Sequence, residues 1–399
     1  MGGDGALDRT ALRPPKQSLG RTIAAACIVA AGFAFIGAML AINLSHTNPA
    51  GKDFIEYWAT EQLLVHGANP YDEKGLLTTE QAVGFDRPWP EFWYSPPPNL
   101  ALALPLGLVS ARTGEVLWIL FHLALLSASL WVLWAIHGRP DTLLHLLGFL
   151  FPPALLCLQA GQISILFLLG VTLFLYLHKS HPFLAGVALL PCALKPHLFL
   201  PFAIALLLWV VTRRAYPILM GFFAAIGSST ALIYLLDKNA WAQYADMMKH
   251  QDMLQQHIAT LSSALRFAVA PDAVWLQFVP CGLACCWAAW YFWSRRARWS
   301  WMEQGLLLML VSAVAAPYGW FFDESVLLPA VLTAFFRARE TGRSVLPLAA
   351  IVAVALYEMQ AGVNVMSKGF LWSTPAWLAW YLYATWKPRV VMEEASLAT

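Results

Sequence analysis

Long apolar runs separated by short polar segments follow one another along almost the whole chain. Most runs are 15 to 24 residues long, and each is bounded by proline, glycine or a charged cluster. Because roughly 20 apolar residues in a helix cross the hydrocarbon core of a bilayer, the pattern predicts an all-α polytopic membrane protein. The twelve predicted spans are residues 22–44, 114–136, 142–158, 162–178, 182–194, 196–211, 215–236, 274–293, 302–316, 323–337, 344–361 and 371–386.

One further apolar segment, residues 97–109, is rich in proline and short for a crossing. Whether it crosses decides the side of every later loop, and cytoplasmic loops carry an excess of Lys and Arg. A segment that re-enters places 16 of the 25 Lys and Arg residues inside, whereas a crossing segment places 10 there. We therefore predict twelve spans, one re-entrant or interfacial segment and two cytoplasmic termini.

This topology predicts a multi-pass protein of the cytoplasmic (inner) membrane with its polar chemistry on the extracytoplasmic face. Its parts are a cytoplasmic tail, a transmembrane domain with two long outer loops, and a second cytoplasmic tail: residues 1–21, 22–386 with loops 45–96 and 237–272, and 387–399. Three short loops near residues 160, 196 and 320 face the same outer side. Polar side chains therefore converge on one membrane face.

Composition excludes several classes of protein. Hydrophobic residues make up 59% of the 399 residues and charged residues 12%, which is outside the soluble range. The six cysteines lie in apolar runs without CxxC spacing, so neither a disulfide framework nor a metal site is predicted. The basic residues are dispersed, so no nucleic acid is expected as a partner. No cleavage site follows the first apolar segment, which favours a retained anchor.

A helix that starts near Asp53 would separate polar from apolar positions. At helical spacing the polar positions share one face: Asp53, Glu56, Tyr57, Thr60 and Glu61. Such a helix is predicted to lie flat at the membrane interface, with its carboxylates at the level of lipid head groups. The alternative is a surface helix whose acidic face is merely solvated.

Two cations are candidates for phosphate contact. Lys195 stands between two apolar runs and before Pro196, and a lysine beside hydrocarbon is costly and usually paired or functional. The alternative is a lysine that extends to the interface from a helix end. Arg266, in the second outer loop, has the geometry for a bidentate phosphate contact, although arginines near head groups are common. His197 is a weaker candidate, since a lone histidine near an interface is most often bonded locally.

Four further outer residues are candidates for binding a polar ligand. Tyr94 and Gln162 offer hydroxyl and amide groups, and Trp320 has a ring that stacks on sugars in other proteins. Asp323 opens a predicted span, where it could equally cap the helix. Each of these signals is weak alone.

The order of the motifs is more specific than any single motif. They are DFIEYWATEQLLVHGANPYD (53–72), YSPPPNLALALPLGL (94–108), AGQISILFLLG (160–170), ALKPHLFLPF (193–202), SALRF (263–267) and APYGWFFDESVLLPA (316–330). In this order and over most of the chain, they resemble glycosyltransferase family 87. The cytoplasmic tail and the last two predicted spans lie outside the resemblance.

The resemblance implies a GT-C-type glycosyltransferase fold and the activity of polyprenyl-phosphomannose-dependent α-1,2-mannosyltransferases, which build phosphatidylinositol mannosides and related glycans. It implies that Asp53, in the DF motif after the first span, is the general base. The residues expected to bind substrate are Glu56, Tyr57, Tyr94, Gln162, Lys195, His197, Arg266, Trp320 and Asp323. Two departures from the family pattern are Leu261–Ser262 in place of an Asn-Gln pair and residues 321–323 in place of histidines, so Asp323 is expected to take over part of that role.

The expected donor is a sugar on a lipid phosphate, because nucleotide sugars are absent outside the cytoplasmic membrane. Transfer by single displacement needs a base for the acceptor hydroxyl and cations for the departing polyprenyl phosphate, roles that fall to Asp53, Lys195 and Arg266. Neither a Gly-rich nucleotide loop nor a DxD-like pair is present, so no cofactor and no metal is expected. The predicted partners are a polyprenyl-phosphate sugar, a glycolipid or glycan acceptor and membrane lipid.

Two other functions stay open at this point. A secondary transporter or flippase of a polar or lipid-linked substrate would also use a membrane lysine and broken helices. Against it, the two halves of the sequence show no repeat, and the polar residues lie on one face. A non-catalytic subunit or a lipid-linked glycan ligase of the GT-C class is the third possibility. The sugar, the acceptor, the linkage and the oligomeric state do not follow from the sequence.

Overall fold

The computed structural model describes residues 52–250, 259–364 and 368–386, together with six isolated positions between residues 30 and 41. Within these ranges the chain is all-helical, with 77% helix and no strand, which confirms the predicted class. Both predicted tails and nearly all of the predicted span 22–44 lie outside the described residues. The α-helices are α1 (Phe54–Val65), α2 (Glu73–Gln81), α3 (Ala111–Ile136), α4 (Pro152–Ala160), α5 (Ile165–Leu177), α6 (Pro182–Ala188), α7 (Leu200–Arg213), α8 (Pro217–Leu236), α9 (Ala240–His250), α10 (Leu261–Val269), α11 (Val279–Arg295), α12 (Leu306–Val314), α13 (Leu328–Glu340), α14 (Leu346–Gln360) and α15 (Ser373–Thr385).

Three of the described helices are long and apolar enough to cross a membrane: α3, α8 and the 25-residue helix Val274–Arg298, which contains α11. A fourth crossing arises if the 3-10 helix Leu143–Leu150 and α4 act as one span, although they meet at 52°. The other apolar helices, such as α5, α7 and α14, have 10 to 17 residues. The chain is therefore a membrane protein, while the count of twelve spans stays a prediction.

Prolines interrupt two of the predicted spans. The predicted span 182–194 is α6 followed by the 3-10 helix Leu190–Ala193. The next one, 196–211, begins with the 3-10 turn Pro196–Leu198 before α7 starts. Proline has no N–H and its ring clashes with the preceding turn, so an α-helix does not run through these positions. The break leaves Lys195 outside any helix, at φ −130° and ψ 66°.

The ambiguous segment 97–109 forms two 3-10 helices, Pro97–Leu102 and Leu104–Leu108. At a rise of about 2.0 Å per residue, these residues extend about 24 Å at most, which is less than the roughly 30 Å of the hydrocarbon core. The geometry favours a segment that does not cross by itself. The side of each later loop stays a prediction.

Helix α1 is buried within the protein, so its polar face is not the open, solvated face of the alternative interpretation; its position relative to the membrane stays a prediction. Eight of its 12 residues are buried, and they come from both faces, since Ile55 and Tyr57, which point to opposite sides of the helix, are 0% and 1% exposed. The 3-10 helix Leu104–Leu108 packs on it, and Gln62 Nε2 donates to the Gly107 carbonyl at 3.0 Å. Periodicity shows which residues share a face, but it does not show that another segment covers the polar one.

Helices α6 and α8 pack through two glycines. A Cβ at Gly186 would lie 1.9 Å from the Ile218 carbonyl oxygen, and one at Gly221 would lie 2.0 Å from the Phe183 carbonyl oxygen. Small residues allow such close backbone approach between membrane helices. This packing fixes α6, the helix that leads into the segment of Lys195.

Candidate active site

Asp53 lies at the first position before α1, where an aspartate commonly caps the helix with its own side chain. Here the carboxylate accepts no hydrogen bond from the first turn. Its Oδ2 accepts instead from Gln162 Nε2 at 2.9 Å. The Oε1 atom of the same amide accepts from the Tyr57 hydroxyl at 2.8 Å. Gln162 therefore orients both Asp53 and Tyr57. The Asp53 carboxylate bonds Gln162 and does not cap α1.

Lys195 is held by a buried carboxylate. Its Nζ lies 2.7 Å from Asp323 Oδ1, and Ser164 Oγ donates to the same oxygen at 2.6 Å. The backbone N–H of Trp320 donates to Asp323 Oδ2 at 3.0 Å, so the Asp323 carboxylate also acts as a helix cap. The Asp323 side chain is 3% exposed, whereas that of Lys195 is 22% exposed. The carboxylate is thus fixed on three sides, and the ammonium keeps an open side.

The turn between α4 and α5 joins these two groups of contacts. Gln162 bonds Asp53 and, two residues later, Ser164 bonds Asp323. The turn starts at Gly161, whose φ of 75° lies in the left-handed region that glycine adopts without a steric penalty. This short segment therefore brings the candidate base and the ion pair of the candidate cation together.

The charges of the site affect one another. Burial raises the pKa of Asp53 above its usual range. The hydrogen bond from Gln162 and the positive charges of Lys195 and Arg87 work against that shift. Burial, and after it the Asp53 carboxylate, raises the pKa of Glu56 well above its usual range. Asp53 is therefore the first of the two acids to ionise as the pH rises, and Glu56 keeps its proton longer.

The segment between α2 and the 3-10 helix Pro97–Leu102 places Tyr94 and Arg87 near these carboxylates. Burial, followed by the charges of Glu56 and Glu91, raises the pKa of Tyr94 to about 12. The Tyr94 ring lies 5.8 Å from that of Phe92. Arg87 forms an ion pair with Glu91 and acts electrostatically on the candidate base. Tyr94 thus stays a neutral phenol that can donate a hydrogen bond.

A small cavity that opens to the surface lies beside Asp323. Its lining includes Leu198, Thr260, Met309, Trp320, Asp323 and Glu324. Trp320 therefore borders an open space, as a stacking residue must. His197 has a different setting, because its ring stacks on that of Tyr318 with centroids 3.6 Å apart. That contact gives His197 a local packing role.

Arg266 lies on α10 with its side chain turned into the protein. Its side chain is 0% exposed. Its Nε donates to the Pro271 carbonyl at 2.7 Å and its Nη1 to Gln277 Oε1 at 3.1 Å. Gln277 Nε2 in turn donates to the Pro317 carbonyl at 2.6 Å. These bonds brace the loop against the segment before Trp320, and contact of Arg266 with a phosphate stays a prediction.

Comparison with known proteins decides the family. Residues 92–317, more than half of the chain, match glycosyltransferase family 87. The chain belongs to glycosyltransferase family 87. This confirms the resemblance carried by the ordered motifs. No curated protein and no solved structure matches the chain.

Membership of family 87 implies a glycosyltransferase, so the transporter reading loses its support. The matched stretch contains five of the candidate residues: Tyr94, Gln162, Lys195, His197 and Arg266. The other five lie before or after it: Asp53, Glu56, Tyr57, Trp320 and Asp323. For these five residues, the assignment to the site rests on the order of the motifs and on the geometry.

Sequence reasoning missed three residues of this family 87 site. Ser164 is two positions after Gln162 in the same motif, and that spacing was a usable signal. Arg87 is one of only three basic residues in the acidic segment 45–96, and that was a second usable signal. Glu324 accepts hydrogen bonds from Ser373 Oγ at 2.5 Å and from a tryptophan N–H, and nothing in the sequence indicates that pairing.

Proposed function

We propose that this glycosyltransferase transfers a sugar from a polyprenyl-phosphate donor to a lipid or glycan acceptor at the extracytoplasmic face of the cytoplasmic membrane. Mannose is the first sugar to test, because the motifs resemble those of mannosyltransferases. The proposal includes a GT-C-type fold, inversion at the anomeric carbon, and transfer without a nucleotide or metal cofactor. One observation carries it: Gln162 holds the Asp53 carboxylate within electrostatic reach of Lys195.

Asp53 is the proposed general base. Its carboxylate takes the proton of the acceptor hydroxyl while the acceptor oxygen forms a bond to the anomeric carbon. The bond from that carbon to the phosphate oxygen breaks, and its electron pair leaves with the phosphate. A general base works best when its pKa approaches the working pH, so the raised pKa of Asp53 suits this role.

Lys195 is the proposed cation for the departing phosphate. Its ammonium is ion-paired on one side, and the 22% exposure of the side chain leaves room for a second anion. Asp323 is itself fixed by Ser164 and the Trp320 N–H, so the charge is in place before the substrate arrives. Preorganised charge in a water-poor site stabilises a transition state more than the same charge in water.

Neutral hydrogen-bond donors complete the proposed sugar site. Glu56 retains its proton more strongly than Asp53, and Tyr94 is a neutral phenol at physiological pH. Both can donate to sugar oxygens without competing for the acceptor proton. Trp320, which borders the small cavity beside Asp323, is the proposed stacking surface for a sugar ring.

The direct test is a transfer assay with the full-length protein reconstituted in liposomes. A panel of polyprenyl-phosphate sugars is offered with phosphatidylinositol and glycan acceptors, and products are read by mass spectrometry. We expect one lipid-phosphate sugar to be consumed by the wild type and not by the Asp53→Asn variant. Transfer from nucleotide sugars alone, or equal turnover in both proteins, contradicts the proposal.

The proposed sidedness has its own test. Reporter fusions after residues 140, 180, 214 and 298 should all report a cytoplasmic location, because the predicted topology places these basic loops inside. An extracytoplasmic result at two or more of the four sites contradicts the topology.

A further inference from the structure

Two buried side chains in the first turns of α3 contact two segments of the site. Glu115 and Trp118 lie three residues apart, so they share one face of the helix, and they are 1% and 3% exposed. The Glu115 carboxylate forms an ion pair with the Lys52 ammonium. Trp118 donates from Nε1 to the Gly161 carbonyl at 2.7 Å.

Each contacted residue directly precedes a residue of the site. Lys52 precedes Asp53, and Gly161 precedes Gln162, so the two α3 side chains act on both sides of the 2.9 Å hydrogen bond between Gln162 and Asp53. The two segments also pack tightly against each other, since a Cβ at Gly161 would lie 2.7 Å from Phe54 Cβ. A small displacement of either segment would therefore change the geometry of the base.

Glu115 also decides where the charge of Lys52 lies. Its second carboxylate oxygen accepts from Arg112 Nη1 at 2.7 Å, and the Lys52 side chain is 7% exposed. Without Glu115, the Lys52 ammonium would lose its partner. It could then approach the carboxylate of Asp53, the next residue in the sequence. An opposite charge at short range stabilises a carboxylate and makes it a weaker base.

We propose that Glu115 and Trp118 are positioning residues for glycosyl transfer, which hold Asp53 and Gln162 in register and keep Lys52 away from the base. The kinetic part rests on the proposed function. The positioning part is measurable without any substrate.

Hydrogen–deuterium exchange of the full-length protein in nanodiscs tests the positioning. In Glu115→Gln, peptides covering residues 52–56 and 160–163 should exchange at least about threefold faster than in the wild type. Trp118→Phe keeps the ring and loses the donor, so only the second peptide should change. Arg112→Ala is the matched control, because it removes the half-exposed partner of Glu115 and leaves Lys52 in place; both peptides should exchange as in the wild type.

Kinetics test the effect on the base. Glu115→Gln should lower kcat about tenfold and leave the donor KM within about twofold. The acidic limb of its pH–rate profile should move to lower pH by at least about half a unit, because the released ammonium lowers the pKa of Asp53. Adding Lys52→Met removes that ammonium and should return the limb to its wild-type position.

Wild-type exchange and a wild-type pH limb in folded Glu115→Gln overturn the proposal. Lower thermal stability with unchanged kcat and an unchanged limb also overturns it, because that is a structural role alone. If Glu115→Gln does not fold, Lys52→Met and Trp118→Phe decide, and wild-type exchange in both contradicts the positioning. A wild type that transfers no sugar contradicts the proposed function, and the exchange result still decides the positioning.

Discussion

Two regions of the chain each carry a cation that the sequence makes a candidate for phosphate contact, and the structure gives these cations opposite surroundings. Lys195 pairs with Asp323, keeps part of its side chain exposed and acts electrostatically on Asp53. Arg266 is fully buried and donates to the Pro271 carbonyl and to Gln277. The first cation lies at a site that a ligand can reach, and the second lies inside a loop.

The difference shows that the neighbours of a cation decide its availability more than its place in a motif does. Removing one partner of a buried charge leaves the other uncompensated, at a cost of about 3 to 5 kcal/mol. A phosphate that bound Arg266 would have to replace the hydrogen bonds that hold the loop around α10. A phosphate at Lys195 would approach an ammonium whose other side is already fixed.

Removing the base should have the largest effect on the first region. Asp53→Asn keeps the shape of the side chain but cannot take a proton, so transfer should fall at least about a hundredfold, or about 2.7 kcal/mol, with donor binding largely intact. Glu56→Gln should lower transfer by less than about tenfold, since burial and the nearby Asp53 carboxylate favour the protonated form of Glu56. Single-turnover transfer and donor binding measure both. Near-normal transfer in Asp53→Asn with none in Glu56→Gln would assign the base to Glu56.

Neutralising the two cations compares the regions directly. Lys195→Ala should lower kcat about ten- to a hundredfold through loss of the phosphate contact. Combining Lys195→Met with Asp323→Asn controls for the carboxylate left unpaired, and kcat should stay low while the fold is retained. Arg266→Ala should instead lower thermal stability and leave transfer per folded molecule within about threefold. A stable Arg266→Ala protein with a large loss of transfer would reverse the two roles.

Gln162 sharpens the comparison, because it is the bond that ties Asp53 to the ion pair. Gln162→Leu should lower kcat about tenfold by releasing both Asp53 and Tyr57. Gln162→Glu places a negative charge against Asp53, so it should raise the pKa of the base and move the acidic limb of the pH–rate profile to higher pH. An unmoved limb in Gln162→Glu would show that the amide does not contact the base during transfer.

Part of this site follows from the sequence. The order of the motifs predicted the family, and the polar positions predicted a helix that starts near Asp53, where α1 begins at Phe54. The Lys195–Pro196 break was visible because proline ends helices and lysine is costly beside lipid. These features are local, so periodicity and residue chemistry reveal them.

The rest depends on contacts between distant segments. Gln162 is 109 residues from Asp53, and Asp323 is 128 residues from Lys195, so no spacing rule pairs them. Nothing in the sequence indicated that Leu104–Leu108 covers α1, so the burial of this helix could not be predicted. The bent pair formed by the 3-10 helix Leu143–Leu150 and α4 shows that apolar length alone does not define one straight span.

Replacing Glu61 should have the smallest effect on transfer and a clear effect on stability. Burial raises its pKa well above the usual range, and within the described chain neither carboxylate oxygen has a hydrogen-bond partner. In the unfolded chain Glu61 ionises near pH 4.5, so stability should fall as the pH rises from there towards the folded pKa. Glu61→Gln should raise the melting temperature at pH 7 by at least about 2 °C, match the wild type near pH 4.5 and leave transfer unchanged. The exposed Glu73→Gln is the control; an equal gain there would remove Glu61 from the explanation.

The pH–rate profile of the purified enzyme tests the identity of the base most directly. The account predicts that kcat/KM falls about tenfold per pH unit below an acidic limb that lies above the ordinary range of an aspartate, because transfer needs the ionised Asp53 and burial raises its pKa. In Asp53→Asn the residual transfer should show no such limb, and in Glu56→Gln the limb should stay in place, because Glu56 keeps its proton at a pH where Asp53 has already ionised. A limb that persists unchanged in Asp53→Asn would contradict the account, because another group would then be the base.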